Sequence, residues 1–311
     1  MGSGRAIRRA FAKAVVRPYV RAELPAWRRV FNLFVGGYAS NAAWADAGQV
    51  WMRGKLHGYL MHLDLAKWPD RNAYFLGRYY ELETQAALLL LLRPGDTFVD
   101  VGANEGMLSL VAAHAVGPGG RVVAFEPNPA PRAALEAAIA RNGIRHIDLR
   151  AKGLADEAGE LELHIPLVND GEGSFGRPDY AGAEVRTITC PVRVGDEELG
   201  DLAPAIIKID VEGFETRVVR GFSTTLERHR PVLITEVVDQ HLANAGSSAA
   251  ELRTLLEGLG YRAMAMSTRR RGLRHRLRLT AAAPGEGYNG DVLWLHSEDV
   301  ARAALLAPYT T

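Results

Sequence analysis

Residues 97–106 have the sequence TFVDVGANEG, a short apolar strand followed by a glycine-containing turn and then a predicted helix. Glycine at such a junction lets the backbone approach a ligand closely, and the first turn of the helix offers free N–H groups. The two glycines, Gly102 and Gly106, follow a G-x-x-x-G spacing rather than the G-x-G-x-x-G of dinucleotide-binding turns. This turn suits a smaller group, such as an amino-acid moiety, better than a pyrophosphate. The alternative is a tight structural turn without a ligand.

The chain from Arg93 onward predicts an α/β fold, because short apolar runs alternate with helical patterns. The predicted strands are Thr97–Val101, Arg121–Phe125, Ile147–Ala151, Glu160–Ile165, Ala205–Ile209, Val232–Glu236, Tyr261–Met266 and Val292–His296. The predicted helices are Leu108–Ala115, Ala130–Asn142, Glu215–Arg220 and Ala249–Gly258. We expect a Rossmann-like, mostly parallel sheet with helices on both faces and a terminal antiparallel strand pair.

Acidic residues follow the second and third predicted strands. Glu126 lies about twenty residues after the glycine turn, where an acid can accept hydrogen bonds from both ribose hydroxyls of a nucleotide. Asp156 follows the third strand and is a candidate acceptor for an adenine amino group. The alternatives are a helix N-cap region at Glu126, since Pro127 follows, and a turn aspartate at Asp156.

A second acidic group follows the next two strands. Lys208 and Asp210 lie on one side of a strand end, and Glu212 and Glu236 come after neighbouring strands. Carboxylates here can act as a general base for a hydroxyl nucleophile. Alternatively, Asp210 and Glu236 can hold a divalent cation such as magnesium or calcium. His241 is a weaker candidate, because a lone histidine is more often structural.

Charge and pattern divide the chain into four parts. We expect a basic, partly helical extension at 1–50, a helical lead-in at 51–92, the α/β domain at 93–298 and a tail at 299–311. The net charge is only +1, and the single cysteine, Cys190, excludes an internal disulfide and a cysteine-rich metal site. The segment Val168–Arg186 predicts a flexible cover for the site, with small residues at Gly171, Gly173, Ser174 and Gly176.

Four segments together resemble the FkbM-type methyltransferases in order and approximate spacing: Asp100-Val-Gly-Ala-Asn-Glu-Gly106, Phe125-Glu126-Pro127, Lys208-Ile-Asp-Val-Glu-Gly213 and Glu236. The resemblance covers about residues 75–296 and includes Tyr80-Glu81 and Asp291–Leu295 at its flanks. It implies a class I methyltransferase fold with a seven-stranded sheet and S-adenosylmethionine as cofactor. It also implies methylation of a hydroxyl, with sugars, glycolipids, polysaccharides and polyketides as the substrate classes.

The resemblance also implies roles for individual residues. Asp100, Gly102, Asn104 and Gly106 would hold the methionine end of the cofactor and Glu126 its ribose, while Asp210, Glu212 and Glu236 would lie near the acceptor. Glu105 departs from the family, which often has a small or aliphatic residue there. The mechanism we expect is direct transfer to an aligned acceptor oxygen, with Asp210 as the first choice of base and Glu236 as the second.

The first part of the chain predicts a basic amphipathic helix. Ile7, Phe11 and Val15 recur every four residues, and a stripe nearly opposite contains Arg5, Arg9, Lys13 and Arg17. Such a helix can lie on an anionic membrane, or it can pack on its own domain with a solvated basic face. The segment lacks the apolar core of a secretory signal. We therefore expect a cytoplasmic protein, with the inner face of the membrane as a candidate site of peripheral binding.

A second basic run extends from Arg269 to Arg278. A solvated hairpin is favoured, and binding of an acidic or phosphorylated acceptor is the alternative. Nucleic acid is disfavoured as a partner, because the net charge is near zero and no aromatic residues are interleaved with the arginines.

Two other functions compete with a methyltransferase. A nicotinamide-dependent oxidoreductase is disfavoured by the missing G-x-G-x-x-G and by the acidic cluster around Asp210. A non-catalytic, methyltransferase-like binding domain at a membrane is the second alternative, since a fold alone never proves activity.

Overall fold

A computed structural model describes residues 2–167, 173–176, 182, 184–271 and 274–311. Within these ranges the strands are β1 (Gln49–Arg53), β2 (Leu60–Asp64), β3 (Thr97–Val101), β4 (Arg121–Phe125), β5 (Ile147–Arg150), β6 (Gly153–Ala155), β7 (Gly159–Pro166), β8 (Val185–Val194), β9 (Pro204–Ile209), β10 (Val232–Val238), β11 (Tyr261–Arg271), β12 (Arg274–Ala281) and β13 (Asn289–His296).

The α-helices of the same ranges are α1 (Gly2–Phe11), α2 (Arg17–Arg21), α3 (Trp27–Phe34), α4 (Asn41–Trp44), α5 (Trp68–Leu76), α6 (Leu82–Leu91), α7 (Met107–Val116), α8 (Pro129–Asn142), α9 (Gly195–Leu199), α10 (Glu215–Gly221), α11 (Ser223–His229), α12 (Asp239–Asn244), α13 (Ala249–Gly258) and α14 (Val300–Leu306). A π-helical turn, Ala12–Val16, joins α1 to α2. Among the residues described, no helix combines the length and the apolar character needed to cross a bilayer.

The largest sheet of the described chain has eight strands in the order β12-β11-β13-β10-β9-β3-β4-β5. The five strands from β10 to β5 run parallel, and β13, β11 and β12 pair antiparallel at the other edge. The predicted Rossmann-like α/β fold with a terminal antiparallel pair is therefore confirmed. The sheet has one strand more than the seven implied by the resemblance, because the chain after β11 turns back as β12. Of the basic run Arg269–Arg278, residues 269–271 lie on β11 and residues 274–278 lie on β12.

Successive residues of β3 face two different cores. Phe98 packs in one core with Leu88 of α6 and Val111 of α7. Val99 packs in the other with Val218 of α10. Because the side chains of a strand alternate between its faces, these two cores show that helices cover both sides of the sheet.

The structure differs from the expected domain plan at several places. The lead-in at 51–92 contains most of the antiparallel pair β1–β2 as well as the helices α5 and α6. A second sheet, in the order β6-β8-β7, branches off after β5. The tail at 299–311 contains α14 and buries Leu306.

Within the predicted cover Val168–Arg186, residues 168–172, 177–181 and 183 lie outside the described residues.

Candidate active site

A cavity of about 320 Å³ opens at the carboxyl ends of the parallel strands. The chain passes from β3 to β4 and β5 on one side and returns to β9 and β10 on the other, and ligands of such sheets bind at this switch point. The lining includes predicted site residues from four strand ends, namely Asp100, Gly102, Asn104, Glu126, Asp210, Glu212 and Glu236. The structure thus brings most of the predicted residues together around one cavity.

The glycine turn after β3 lies directly against the loop after β9. Gly102 has a φ of +79°, and a Cβ there would lie 1.8 Å from the backbone oxygen of Asp210. Only glycine permits this approach, which brings the predicted cofactor loop and the predicted catalytic loop together. Gly106 has a different role: a Cβ there would lie 2.2 Å from Leu135, so its glycine allows α8 to pack. Gly106 lies between the cavity-lining residues Glu105 and Met107, and its cofactor contact stays a prediction.

Glu126 is almost fully buried at the end of β4. Its Oε2 accepts a hydrogen bond of 2.7 Å from the N–H of Asn104, and its Oε1 accepts one of 2.7 Å from the N–H of Asn128. Each carboxylate oxygen has a further lone pair for a ligand hydroxyl. Burial raises the pKa of Glu126 to about 7, although the two backbone N–H groups favour the ionised form.

Asp100 and Lys208 form a buried charged pair behind the glycine turn. The Asp100 Oδ2 accepts a hydrogen bond of 2.6 Å from the Ser109 hydroxyl. Its Oδ1 is buried without a hydrogen-bond partner and lies 4.0 Å from the Lys208 ammonium. Burial raises the pKa of Asp100, and Lys208 only partly offsets this effect. A buried acceptor with no partner at the edge of a cavity is costly unless a ligand donor meets it.

Asp210 and Glu236 differ in their surroundings. Lys208 donates a hydrogen bond of 2.9 Å to the Asp210 Oδ2. The negative charge of Asp210 and, after it, burial raise the pKa of Glu236 to about 11. The surroundings of Glu236 therefore favour its protonated form, which makes it a poorer base than the sequence suggested.

His241 pairs with Glu212 at the mouth of the cavity. The His241 Nδ1 lies 2.9 Å from the Glu212 Oε2. One ligand atom from each of Glu212, Glu236 and His241 lies within 4.8 Å of the others, a spacing that can hold a metal ion. The predicted ligand pair was Asp210 and Glu236. Asp210 is not in this cluster, and its Oδ2 accepts a hydrogen bond from Lys208 instead.

Asp156 does not line the cavity. Its Oδ1 accepts a hydrogen bond of 2.6 Å from the Arg217 Nε. The parallel strand β5 ends at Arg150, and the chain then enters the small sheet, so Gly153 and Leu154 take the place at the cavity wall. The predicted contact of Asp156 with an adenine group is corrected accordingly.

The segment that precedes the large sheet forms one wall of the cavity, which no local sequence motif predicts. Lys67, Tyr79, Tyr80 and Glu81 line the cavity. The rings of Tyr79 and Tyr80 have centroids 4.3 Å apart. Burial, together with the nearby Asp291 and Asp210, raises the pKa of Glu81 to about 8. Only the family resemblance pointed to Tyr80 and Glu81, because no local spacing connects them with strands far along the chain.

Glu105, the residue that departs from the family pattern, connects the glycine turn to this wall. Its Oε1 accepts a hydrogen bond of 3.1 Å from the Lys67 ammonium. Burial and the adjacent Glu105 carboxyl raise the pKa of Asp70 well above its ordinary value. An acidic residue at this position is thus explained by its contact with the start of α5.

Comparison with known proteins gives matches of both sequence and structure. A family model described as the methyltransferase FkbM domain matches residues 100–263. The 31-O-demethyl-FK506 methyltransferase FkbM of Streptomyces tacrolimicus is 32% identical over 233 residues, which cover 62% of this chain and 84% of that protein.

Two crystal structures show weaker similarity. The methyltransferase FkbM of Methylobacillus flagellatus KT has a TM-score of 0.41 at 14% identity, covering 85% of this chain and 59% of that chain. The SAM-dependent O-methyltransferase of Thermotoga maritima has a TM-score of 0.39 at 12% identity, covering 79% of this chain and 85% of that chain. Both TM-scores are below 0.5, which is too low to identify a shared fold by itself.

Proposed function

The chain belongs to the FkbM methyltransferase family, and from this premise we propose that it transfers a methyl group from S-adenosylmethionine to a hydroxyl oxygen of a sugar, glycolipid, polysaccharide or related natural product. The observation that carries the proposal is one cavity that joins Asp100 and Glu126 to Asp210. The substrate of the Streptomyces relative is named as a 31-O-demethyl compound, which supports oxygen as the acceptor atom.

The residues around the glycine turn fit the cofactor. The partnerless Oδ1 of Asp100 is an acceptor for an ammonium group, and Glu126 offers lone pairs to two ribose hydroxyls. Carboxyl groups outnumber cations in the wall, which includes Glu81, Asp210 and Lys208. This favours a ligand with a positive sulfonium centre over a pyrophosphate.

Asp210 is the base that we assign to the acceptor hydroxyl. When bound, S-adenosylmethionine supplies an electrophilic methyl carbon, so the chain mainly has to align the acceptor and take its proton. Lys208 holds the Oδ2 of Asp210, and the Oδ1 is the oxygen that we assign to the hydroxyl. Protonated Glu236 donates a hydrogen bond that orients the acceptor.

A second candidate for the base is the pair of His241 and Glu212. The contact of 2.9 Å between them resembles the general arrangement in which a carboxylate orients a catalytic imidazole. A divalent cation held by Glu212, Glu236 and His241 would compete with this role.

The test is methyl transfer from S-adenosylmethionine labelled in the methyl group. We would offer the full chain a panel of polyols, oligosaccharides and glycolipids, with magnesium and with a chelator. Label on an acceptor oxygen supports the proposal. Loss of transfer with the chelator would show that transfer needs a divalent cation, for which Glu212, Glu236 and His241 are the candidate ligands. Cofactor binding without transfer to any acceptor would instead favour the non-catalytic domain. Binding of a nicotinamide cofactor alone would favour an oxidoreductase.

Cofactor affinity is expected to fall as the pH decreases below about 7. Burial holds the pKa of Glu126 near this value, and the protonated carboxyl loses acceptor capacity for the ribose. Since binding favours the ionised form, the Kd should be constant above pH 8 and should rise by up to about tenfold per pH unit below the pKa. Calorimetry from pH 5.5 to 8.5 measures this. A Kd that stays constant across this range would contradict the assigned role of Glu126.

A further inference from the structure

The helical segment at residues 2–21 attaches to the protein by an unexpected face. Ala12, Val16 and Val20 are buried, whereas the predicted apolar stripe of Ile7 and Phe11 is exposed, by 68% and 44%. Val15 in the same stripe is 55% exposed. An amphipathic helix normally buries its apolar stripe. Exposed apolar side chains grouped on one surface are typical of a binding site for a membrane or another molecule.

Most of the basic stripe of the segment packs on the protein, and only Arg5 at its start is exposed. Arg9 forms a salt bridge with Asp46. Arg17 donates a hydrogen bond of 3.2 Å to the Tyr74 hydroxyl, and its guanidinium lies over the ring of that tyrosine. The helix thus packs on its own domain, as one of the two alternatives predicted, but the basic face is partly covered at Arg9 and Arg17.

The neighbouring helix α3 extends the exposed apolar surface. Leu33 is 66% exposed, and the ring centroid of Phe34 lies 5.5 Å from that of Phe11. Arg8 donates a hydrogen bond of 2.8 Å to the backbone oxygen of Leu33, which fixes the two helices together. We call the surface formed by Ile7, Phe11, Val15 and Leu33 the apolar patch.

The surroundings of the apolar patch are positively charged. Exposed arginines occur on both of its helices, at Arg5, Arg8, Arg28 and Arg29. The first forty residues contain one acidic residue, Glu23, which is buried and held by Arg78 and Lys55. A surface with an apolar centre and a cationic rim matches the interface of an anionic bilayer.

We propose that the apolar patch docks the protein on a membrane that contains anionic lipids. The apolar side chains enter the headgroup region, and the arginine rim binds lipid phosphates. A second copy of the chain is a poorer occupant, because a symmetric interface would place the two arginine rims against each other.

Flotation of the full chain with vesicles tests the proposal. We compare neutral phosphatidylcholine vesicles with vesicles containing phosphatidylglycerol. The test variant is Ile7→Ser with Leu33→Ser, and the matched control is Leu167→Ser with Val300→Ser, whose parent residues are exposed elsewhere. We expect the wild type and the control to float with anionic vesicles and the test variant to float at least tenfold less. High salt should also weaken flotation of the wild type, because salt screens the rim.

Two results would overturn the membrane proposal. One is equal flotation of the test variant and the wild type, including no flotation of either. The other is a wild-type dimer in sedimentation experiments that the test variant abolishes, which would assign the patch to a second copy. Cofactor affinity, measured on the same samples, should be equal in all variants, so a failure of the proposed enzymatic function is recognised separately.

Discussion

Glu126→Ala should weaken binding of S-adenosylmethionine by about 100-fold or more. In the wild type the carboxylate is positioned by two backbone hydrogen bonds of 2.7 Å and can accept one from each ribose hydroxyl. A hydrogen bond to a charged group contributes roughly 1.5–3 kcal/mol, so losing two costs at least about 3 kcal/mol. A factor of ten in Kd corresponds to about 1.4 kcal/mol. Calorimetry at pH 8, where the ionised form of Glu126 is favoured, gives the Kd of the wild type and that of the variant.

The control for this measurement is Glu136→Ala on the following helix α8. Glu136 is exposed and forms an i,i+4 contact with Arg132, so its removal should leave the cofactor affinity unchanged. Because alanine at 126 also leaves the N–H groups of Asn104 and Asn128 without their acceptor, Glu126→Gln serves as a second variant of similar size. An unchanged Kd in both folded Glu126 variants would remove this residue from the cofactor site.

Asp210→Asn should lower kcat by about 100- to 10,000-fold, the range that general-base catalysis contributes. The amide keeps the size of the side chain but cannot take a proton from the acceptor hydroxyl. Its effect on cofactor affinity should be small, because the assigned cofactor contacts are at Asp100 and Glu126. The measurement is steady-state transfer to an acceptor found in the labelled-methyl screen.

The matched control is Asp156→Asn, which makes the same chemical change at a carboxylate outside the cavity. Asp156 is bound by Arg217 on the surface side, so the variant should retain wild-type kcat. Full turnover by Asp210→Asn would transfer the role of base to His241. In that event His241→Gln should give the larger loss.

Local patterns in the sequence were enough to locate the switch point of the sheet. The strand and glycine turn at Thr97–Val101, the acid at Glu126 and the Lys208–Asp210 pair each follow from chain-local periodicity and spacing. The strand after Arg150 could not be predicted as well, because its partner is β8, some forty residues along the chain. Asp156 was misplaced for this reason.

Long-range packing decided the parts that pattern alone could not. Ala12 and Val16 have the same four-residue spacing as Ile7 and Phe11, and only their contacts with the rest of the protein make them the buried pair. The same holds for Tyr79 and Tyr80, which line the cavity and precede α6, a helix that packs against β11 and β12 of the large sheet.

The close approach at Gly102 links the loop after β3, on the cofactor side of the cavity, to the loop after β9, on the acceptor side. The Asp210 N–H donates a hydrogen bond of 3.0 Å to the Val101 oxygen, and the Lys208 ammonium lies 3.4 Å from the Gly102 oxygen. These contacts join the two loops directly, so we expect a shift of one loop on ligand binding to move the other. We expect heterotropic coupling, in which the methyl donor strengthens acceptor binding and the acceptor strengthens donor binding by the same factor.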